Sequence, residues 1–376
     1  MQTAFKFCKT GIQMSEIKKY SAKRIFTGYS WLSNHTLVVQ DGMIAEIIPT
    51  STEANNITEI IAPAFIDIQI YGAFGKLLSV YPDTDALHKL YAYSVAGGAS
   101  HFQPTVATND VAIFYKAIDA VRDYWKEGGR GCIGLHIEGP WIHPAKKGAH
   151  LESYIHAPSL AEVRELLEYG KAAISMITLA PEICSVAVLE LIRSYGVIIS
   201  AGHSNASFEE ATKAFNAGIQ TVTHLYNAMS ALQHRAPGMV GAVFLHPTVL
   251  SSIVPDGYHV DFAAIKIAKQ IMGERLFAIT DAVTETREGA YPHHLVRDKY
   301  ESNGILSGSA LDMGLCLRNL VNKVQIPLEE ALRMVSLYPA RAINLSNKLG
   351  CIEKGKEANL VFLNNELQVT QVVSFE

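Results

Sequence analysis

Val197-Ile-Ile-Ser-Ala-Gly-His203, then Ser204-Asn-Ala-Ser-Phe208 and the run up to Gly218, then Thr221-Val-Thr-His224, is the stretch on which the fold turns. A short, β-branched apolar run ends on a histidine, and a second one does the same about twenty residues later. Between them Ser207 and Glu210 have the spacing of a capping box, Phe208, Ala211 and Phe215 recur at three to four residues, and Gly218 can stop a helix. The unit reads strand, helix, strand, with a histidine at each strand's C-terminal end. Working outward, the same kind of short apolar run recurs at 64–70, 99–103, 132–137, 174–179, 250–254 and 276–280. Runs apolar on both faces suit buried parallel strands, and most gaps between them hold a helix-like segment. Eight such units in series predict an α/β fold, a (β/α)8 barrel over residues 63–345.

The flanks follow another rule. Residues 24–48 and 349–373 alternate apolar and polar positions and carry turn signals at Asp41-Gly42 and Asn364-Asn365. They predict a small β-sandwich domain assembled from both chain ends, 1–62 and 346–376, with 1–19 as a loose extension.

Bulk properties narrow the function. Nearly half of the 376 residues are apolar and 18% are charged, so a large core can form. A formal charge of −4 supplies no basic field for nucleic acid or an anionic membrane, so a bound phosphate would need a few placed groups. Five scattered cysteines without a C-x-x-C pattern argue against a disulfide framework or a cysteine zinc site and fit a reducing, cytoplasmic setting. No apolar run reaches membrane-spanning length, and the N-terminus lacks a signal-peptide core.

Catalytic groups of a parallel barrel stand at the C-terminal ends of its strands. There the sequence sets His136 and Glu138 (in Leu135-His-Ile-Glu138), His203, His224, His259 and Asp281. One such histidine alone is more often a satisfied core or rim residue; a series at equivalent positions is not so easily dismissed. Glu138, His203 and His224 form a carboxylate–imidazole set that leaves coordination positions open, as a catalytic metal with a bound water requires. Asp281 can carry a proton between that water and a leaving group, or can simply cap a helix. His259 can donate to a scissile carbonyl or pack behind Tyr258. The first strand reads Ile66-Asp-Ile-Gln-Ile-Tyr-Gly72 where a binuclear hydrolase would show His-x-His, and no lysine ends the fourth strand. One divalent metal per subunit is expected, zinc or ferrous iron, with a second site unsupported.

Ala62-Pro-Ala-Phe-Ile-Asp67, His136-Ile-Glu-Gly-Pro140, Lys146-Lys-Gly-Ala-His150, Ala201-Gly-His-Ser-Asn-Ala206, Thr223-His-Leu-Tyr-Asn-Ala-Met229, Arg235-Ala-Pro-Gly238 and Asp256-Gly-Tyr-His259 occur in this order. Thr280-Asp-Ala282, Leu306-Ser-Gly-Ser309, Tyr338-Pro-Ala-Arg-Ala342 and Gly355-Lys-Glu-Ala-Asn-Leu360 complete the series. From about residue 24 to residue 362 the chain resembles the N-acetylglucosamine-6-phosphate deacetylase family of the amidohydrolase superfamily. The resemblance implies Glu138, His203 and His224 as metal ligands, Asp281 as general base and acid, and His259 as the group polarising the acetamide. It implies sugar and phosphate contacts from Ala149, His150, Asn227, Ala228, Arg235, Leu306, Ser307 and Gly308. It also implies a homodimer in which the phosphate-binding arginine reaches across from the neighbouring subunit. The chain departs from the family pattern at Tyr71, where asparagine is frequent, at His101, and in a short stretch between Asp281 and Leu306. Rival readings are an amidohydrolase of another N-acyl amino sugar or a cyclic amide, and a non-catalytic sugar-phosphate sensor. A dihydroorotase-like site would need the missing His-x-His and bridging lysine, and a sensor could dispense with Asp281 and the ligand set.

Overall fold

The computed structural model describes residues 16–51 and 57–375. Eight strands form one parallel sheet in chain order: β1 (Phe65–Ile70), β2 (Ala99–Ala107), β3 (Leu135–Glu138), β4 (Ile174–Leu179), β5 (Ile198–Ala201), β6 (Thr221–Val222), β7 (Leu250–Ile253) and β8 (Leu276–Ala278). Backbone bonds from Asp281 N to Gln69 O (3.0 Å) and from Tyr71 N to Ala282 O (2.9 Å) join the last strand's extension to the first and close the barrel. All eight expected strands exist, with shifted ends. β2 runs four residues past its expected end because Pro104, which has no N–H to give, pairs with Ile70 through the rest of its backbone. β3 begins three residues late, after Gly131 and Gly134, both at positive φ (+73° and +105°).

Helices pack outside the strands, and their caps are legible in the sequence. Asp83, Asp110, Ser159, Ser185, Ser207, Asp261 and Asp312 each accept a backbone N–H in the first turn of the helix that follows. The capping box of the helix Phe208–Asn216 is complete.

The chain ends build one six-stranded sheet in the order 369–373, 360–363, 58–63, 17–26, 31–40, 43–49. Ile17–Lys19 pair with 38–40 and so belong to the sheet, which corrects the loose extension there; residues 1–15 lie outside the described chain. Period-two alternation splits the apolar residues of this sheet between two cores. Ile61, Leu360 and Phe362 join Ile25, Leu37 and Ile44 in a small cluster of their own. Ile60, Ala62, Val361 and Leu363 face the other way into the barrel's core. An isolated bridge between Met43 and Glu357 ties the edge strand 43–49 to the segment that leads into 360–363.

One insertion matters for function. After β8 the chain forms a three-stranded antiparallel sheet, His294–Val296, Lys299–Ser302 and Ile305–Ser309, before the helix Met313–Asn322. Short as it is, this segment makes one wall of the cavity described next. Among the described residues no helix is long and apolar enough to cross a membrane.

Candidate active site

A cavity of about 180 Å³ opens at the C-terminal ends of the barrel strands. Three of the side chains that line it sit where the backbone turns out of a strand in the left-handed region: His203 (φ 48°), His224 (φ 38°) and Asp281 (φ 55°). Such conformations cost a non-glycine residue energy and persist only when surrounding contacts fix them. Here they swing each side chain inward over the barrel axis.

Glu138 is the hub. Its Oε1 lies 3.1 Å from His224 Nε2 and 3.4 Å from His203 Nε2, and the two imidazole nitrogens are 3.1 Å apart. Its Oε2 accepts from the Tyr71 hydroxyl and lies 3.3 Å from His150 Nε2. Donor atoms of Glu138, His150 and His203 all fall within 4.8 Å of one another. His203 Nδ1 faces the Lys146 carbonyl at 2.9 Å, which places its proton there and turns the Nε2 lone pair toward Glu138. A lone pair and a carboxylate converging in a buried site, with His224 Nε2 beside both, is a donor set that fits a divalent cation. Burial opposes ionisation of Glu138, but the contacts of His150, His203 and His224 hold its carboxyl well below the usual range. Burial and the neighbouring His150 push His203 down to about 4, whereas His224 is raised, burial being outweighed by Glu138.

Asp281 stands beside this cluster. Its Oδ1 accepts from Gln69 Nε2 at 2.9 Å, and its Oδ2 is 3.4 Å from His259 Nε2. His259 Nδ1 is held by Asp256 Oδ2 at 2.6 Å. Burial raises the Asp281 carboxyl, against the fields of His259 and His224. Gln69 Nε2 also reaches Tyr71 Oη at 2.7 Å and Glu138 Oε1 at 3.2 Å, so one amide ties the two carboxylates together.

Of the residues expected from the sequence, Glu138, His203, His224, His259, Asp281, Ala149, His150, Asn227, Ala228, Leu306 and Ser307 line this one cavity. Gly308 follows directly, its Cα side against Val283 and the Asp281 carbonyl. Arg235 does not join them: it is exposed on the loop before the helix Gly238–Leu245. His136 also stays out, buried within the barrel with Nε2 on Thr178 Oγ1 at 2.7 Å and held down to about 4 by burial. His101, buried on Ser100 Oγ at 2.8 Å, lies near the start of β2. Gln69, Asp256, Tyr291 and His293 join the site beyond the residues expected from the sequence. Gln69 and Asp256 could have been read from their places beside Tyr71 and His259. Tyr291 and His293 lie in a segment without period or motif, and only the folded chain brings them to the cavity.

Sequence models match on both sides of residue 60: the amidohydrolase family over residues 60–374, and the NagA composite domain over residues 22–60. The chain belongs to the amidohydrolase family. Within it, the chain is similar along nearly its whole length to deacetylases of two phosphorylated amino sugars. The N-acetylglucosamine-6-phosphate deacetylase of Haemophilus influenzae is 32% identical over 368 residues, 93% of this chain and 96% of that protein. The N-acetylgalactosamine-6-phosphate deacetylase of Escherichia coli O157:H7 is also 32% identical, with the same coverage. The crystal structure of N-acetylglucosamine-6-phosphate deacetylase from Pasteurella multocida superposes with a TM-score of 0.89 at 32% identity, covering 95% of this chain and 98% of that one.

Proposed function

We propose that the chain hydrolyses the acetamide of N-acetylglucosamine 6-phosphate, releasing acetate and glucosamine 6-phosphate in amino-sugar catabolism. The observation that carries this reading is the convergence of Glu138, His203 and His224 beside the Asp256–His259–Asp281 chain. When bound, a divalent cation, zinc or ferrous iron, held by Glu138, His203 and His224 supplies Lewis acidity to a water and to the acetamide carbonyl. His224 is preferred to His150 as third ligand because it shares Glu138 Oε1 with His203, while His150 faces Oε2 and is left for the substrate. Asp281 takes the attacking water's proton at Oδ2 and returns it to the amine as the C–N bond breaks. His259, its Nδ1–H donating to Asp256, turns Nε2 toward the carbonyl oxygen, and the doubly protonated ring, lying between Asp256 and Asp281, donates from Nε2 as that oxygen gains charge. Gln69 and Tyr71, both donors toward carboxylates, stand where a second pair of ligands would be, which supports one cation per chain.

Asn227 and Ala228 hold the phosphate, with Arg235 supplied by the neighbouring subunit of a homodimer; its exposure on a single chain is consistent with that role. The division of the chain at about residues 62 and 345 rests on the small apolar cluster around Ile25, Leu37, Ile44, Ile61, Leu360 and Phe362, to which only the two chain ends contribute. Cytoplasmic residence rests on Cys184, Cys316 and Cys351, which form no disulfide among the described residues.

The test is acetate release from the phosphorylated and unphosphorylated sugar, with metal analysis of the same sample. Turnover of the 6-phosphate, its loss to a chelator and one metal per chain are expected. A metal-replete protein that releases acetate from no N-acetylhexosamine 6-phosphate would refute the reading.

A further inference from the structure

The hairpin wall of the cavity contains one polar side chain, His293, that neither the metal cluster nor the phosphate assignment uses, beside Ser307, already expected to contact the sugar. His293, 5% exposed, lines the cavity just before the strand His294–Val296, and its Nδ1 lies 2.8 Å from the hydroxyl of Ser307 in the strand Ile305–Ser309. The pair is held rigidly. Thr286 N donates to the His293 carbonyl at 3.1 Å, and Tyr291 stacks beside the imidazole with an interplanar angle of 11°. Tyr291 in turn donates to the Thr108 carbonyl and accepts from Leu151 N, which fastens the hairpin to the opposite rim.

Burial holds the His293 imidazole down to about 4, so it is neutral near pH 7. Its hydrogen bond with Ser307 then has two arrangements. If the serine hydroxyl donates to Nδ1, Nε2 carries the ring proton and the serine oxygen can still accept. If Nδ1 donates to the serine, Nε2 accepts and the hydroxyl donates. Either way the pair turns one donor and one acceptor to a ligand.

The shape of the substrate, on the function proposed above, supplies the second constraint. In a 2-acetamido hexose 6-phosphate, the acetamide on C2 and the phosphate arm on C5 leave from opposite corners of the ring. Holding both ends leaves two free edges, C3–C4 and C1–O5. The C1 hydroxyl interconverts between two orientations in the free sugar phosphate, so a fixed polar pair suits it poorly. The C3–C4 edge carries two hydroxyls of fixed configuration, each able to donate and accept. The two groups of deacetylases that match this chain at equal identity act on sugars that differ at C4. The hairpin lies outside the repeated strand–helix units, where sequence can change without moving the ligand cluster.

We propose that His293 and Ser307 bind the C3–C4 diol of the sugar, and that His293 sets the preference between the two C4 epimers. Acetate release would be measured for the wild type, His293→Ala and Ser307→Ala on N-acetylglucosamine 6-phosphate, N-acetylgalactosamine 6-phosphate and the 4-deoxy and 1-deoxy analogues of the former. On the preferred epimer His293→Ala should lose about tenfold in kcat/KM, the scale of one hydrogen bond. On the 4-deoxy analogue it should match the wild type, and its ratio between epimers should fall toward one. The inference is overturned if His293→Ala keeps both the wild-type epimer ratio and the wild-type penalty for 4-deoxygenation, or if the loss disappears with the 1-deoxy analogue instead. Ser307→Ala is read by the same criteria and decides the matter should His293→Ala not melt like the wild type. A wild type that releases acetate from neither epimer fails at the deacetylase reading itself, and this inference falls with it.

Discussion

Asp281 and Asp67 are two buried carboxyls a few residues from the same barrel seam, and they are expected to behave in opposite ways. Asp281 faces the cavity and His259, so Asp281→Asn should cut the deacetylation rate by roughly 10²–10⁴-fold while metal content stays at the wild-type level. His203→Ala and His224→Ala should each lower bound metal as well as rate, and full metal content in both would contradict the ligand assignment. Asp67 points into the barrel, accepting from Thr280 Oγ1 at 2.5 Å, Thr280 N at 3.2 Å and Gln69 N at 3.3 Å. Burial outweighs these bonds and pushes its carboxyl up to about 7. A carboxyl with a raised folded-state value binds its proton more tightly in the fold, so stability falls as pH rises from about 4 to about 7, and the cost is fully present above that. Asp67→Asn, neutral throughout, should therefore gain on the wild type across that window. The gain is at most on the order of 4 kcal/mol, three units at roughly 1.4 each. Unfolding free energies that keep a constant difference from pH 4 to pH 8 would rule this out.

At the level of strands and helices, the helix after His203 shows how far local sequence reaches. Ser207 and Glu210 cap it reciprocally, with Ser207 N to Glu210 Oε2 at 2.8 Å and Glu210 N to Ser207 Oγ at 3.2 Å. Ser207→Ala should cost about 1 kcal/mol in chemical denaturation; no measurable loss would mean that the cap contributes nothing. The eight strands could be read because each is a short apolar run, and the strand-end position of Glu138, His203, His224 and Asp281 follows from the same reading. Strand ends were less legible. Pro104 looks like a stop yet lies inside β2, because a parallel neighbour needs only part of its backbone. Thr223 and His224 look like strand but have already turned out of it to bring the imidazole to Glu138. The links between Gln69, Tyr71, Glu138 and Asp281 join residues up to 212 positions apart, and no local pattern announces them. The hairpin residues Tyr291 and His293 are hidden for the same reason: their role is set by what stands across the cavity.

The whole molecule adds what one chain leaves open. Arg235 is exposed and outside the cavity, in a protein of net negative charge. Arg235→Ala should raise KM for the 6-phosphate at least about tenfold, the scale of one charged hydrogen bond, and barely alter the weak activity on the unphosphorylated sugar. Equal losses on both sugars would remove the phosphate role. Mixing Arg235→Ala with Asp281→Asn chains should restore some activity if the arginine crosses between subunits, and verified hybrids without rescue would confine it to its own chain. The mixed sheet has a consequence of another kind, for the order in which the chain is made. Strand 58–63 lies between 17–26, already synthesised, and 360–363, synthesised roughly 300 residues later. At about 5–20 residues per second, its outer edge, with Ile60, Ile61 and Ala62, emerges from the ribosome about 15–60 s before its partner. For that interval the nascent chain displays an unpaired apolar edge, the kind that recruits foreign strands. The yield of folded protein in a cell therefore depends on what shields residues 58–63 until translation is nearly finished.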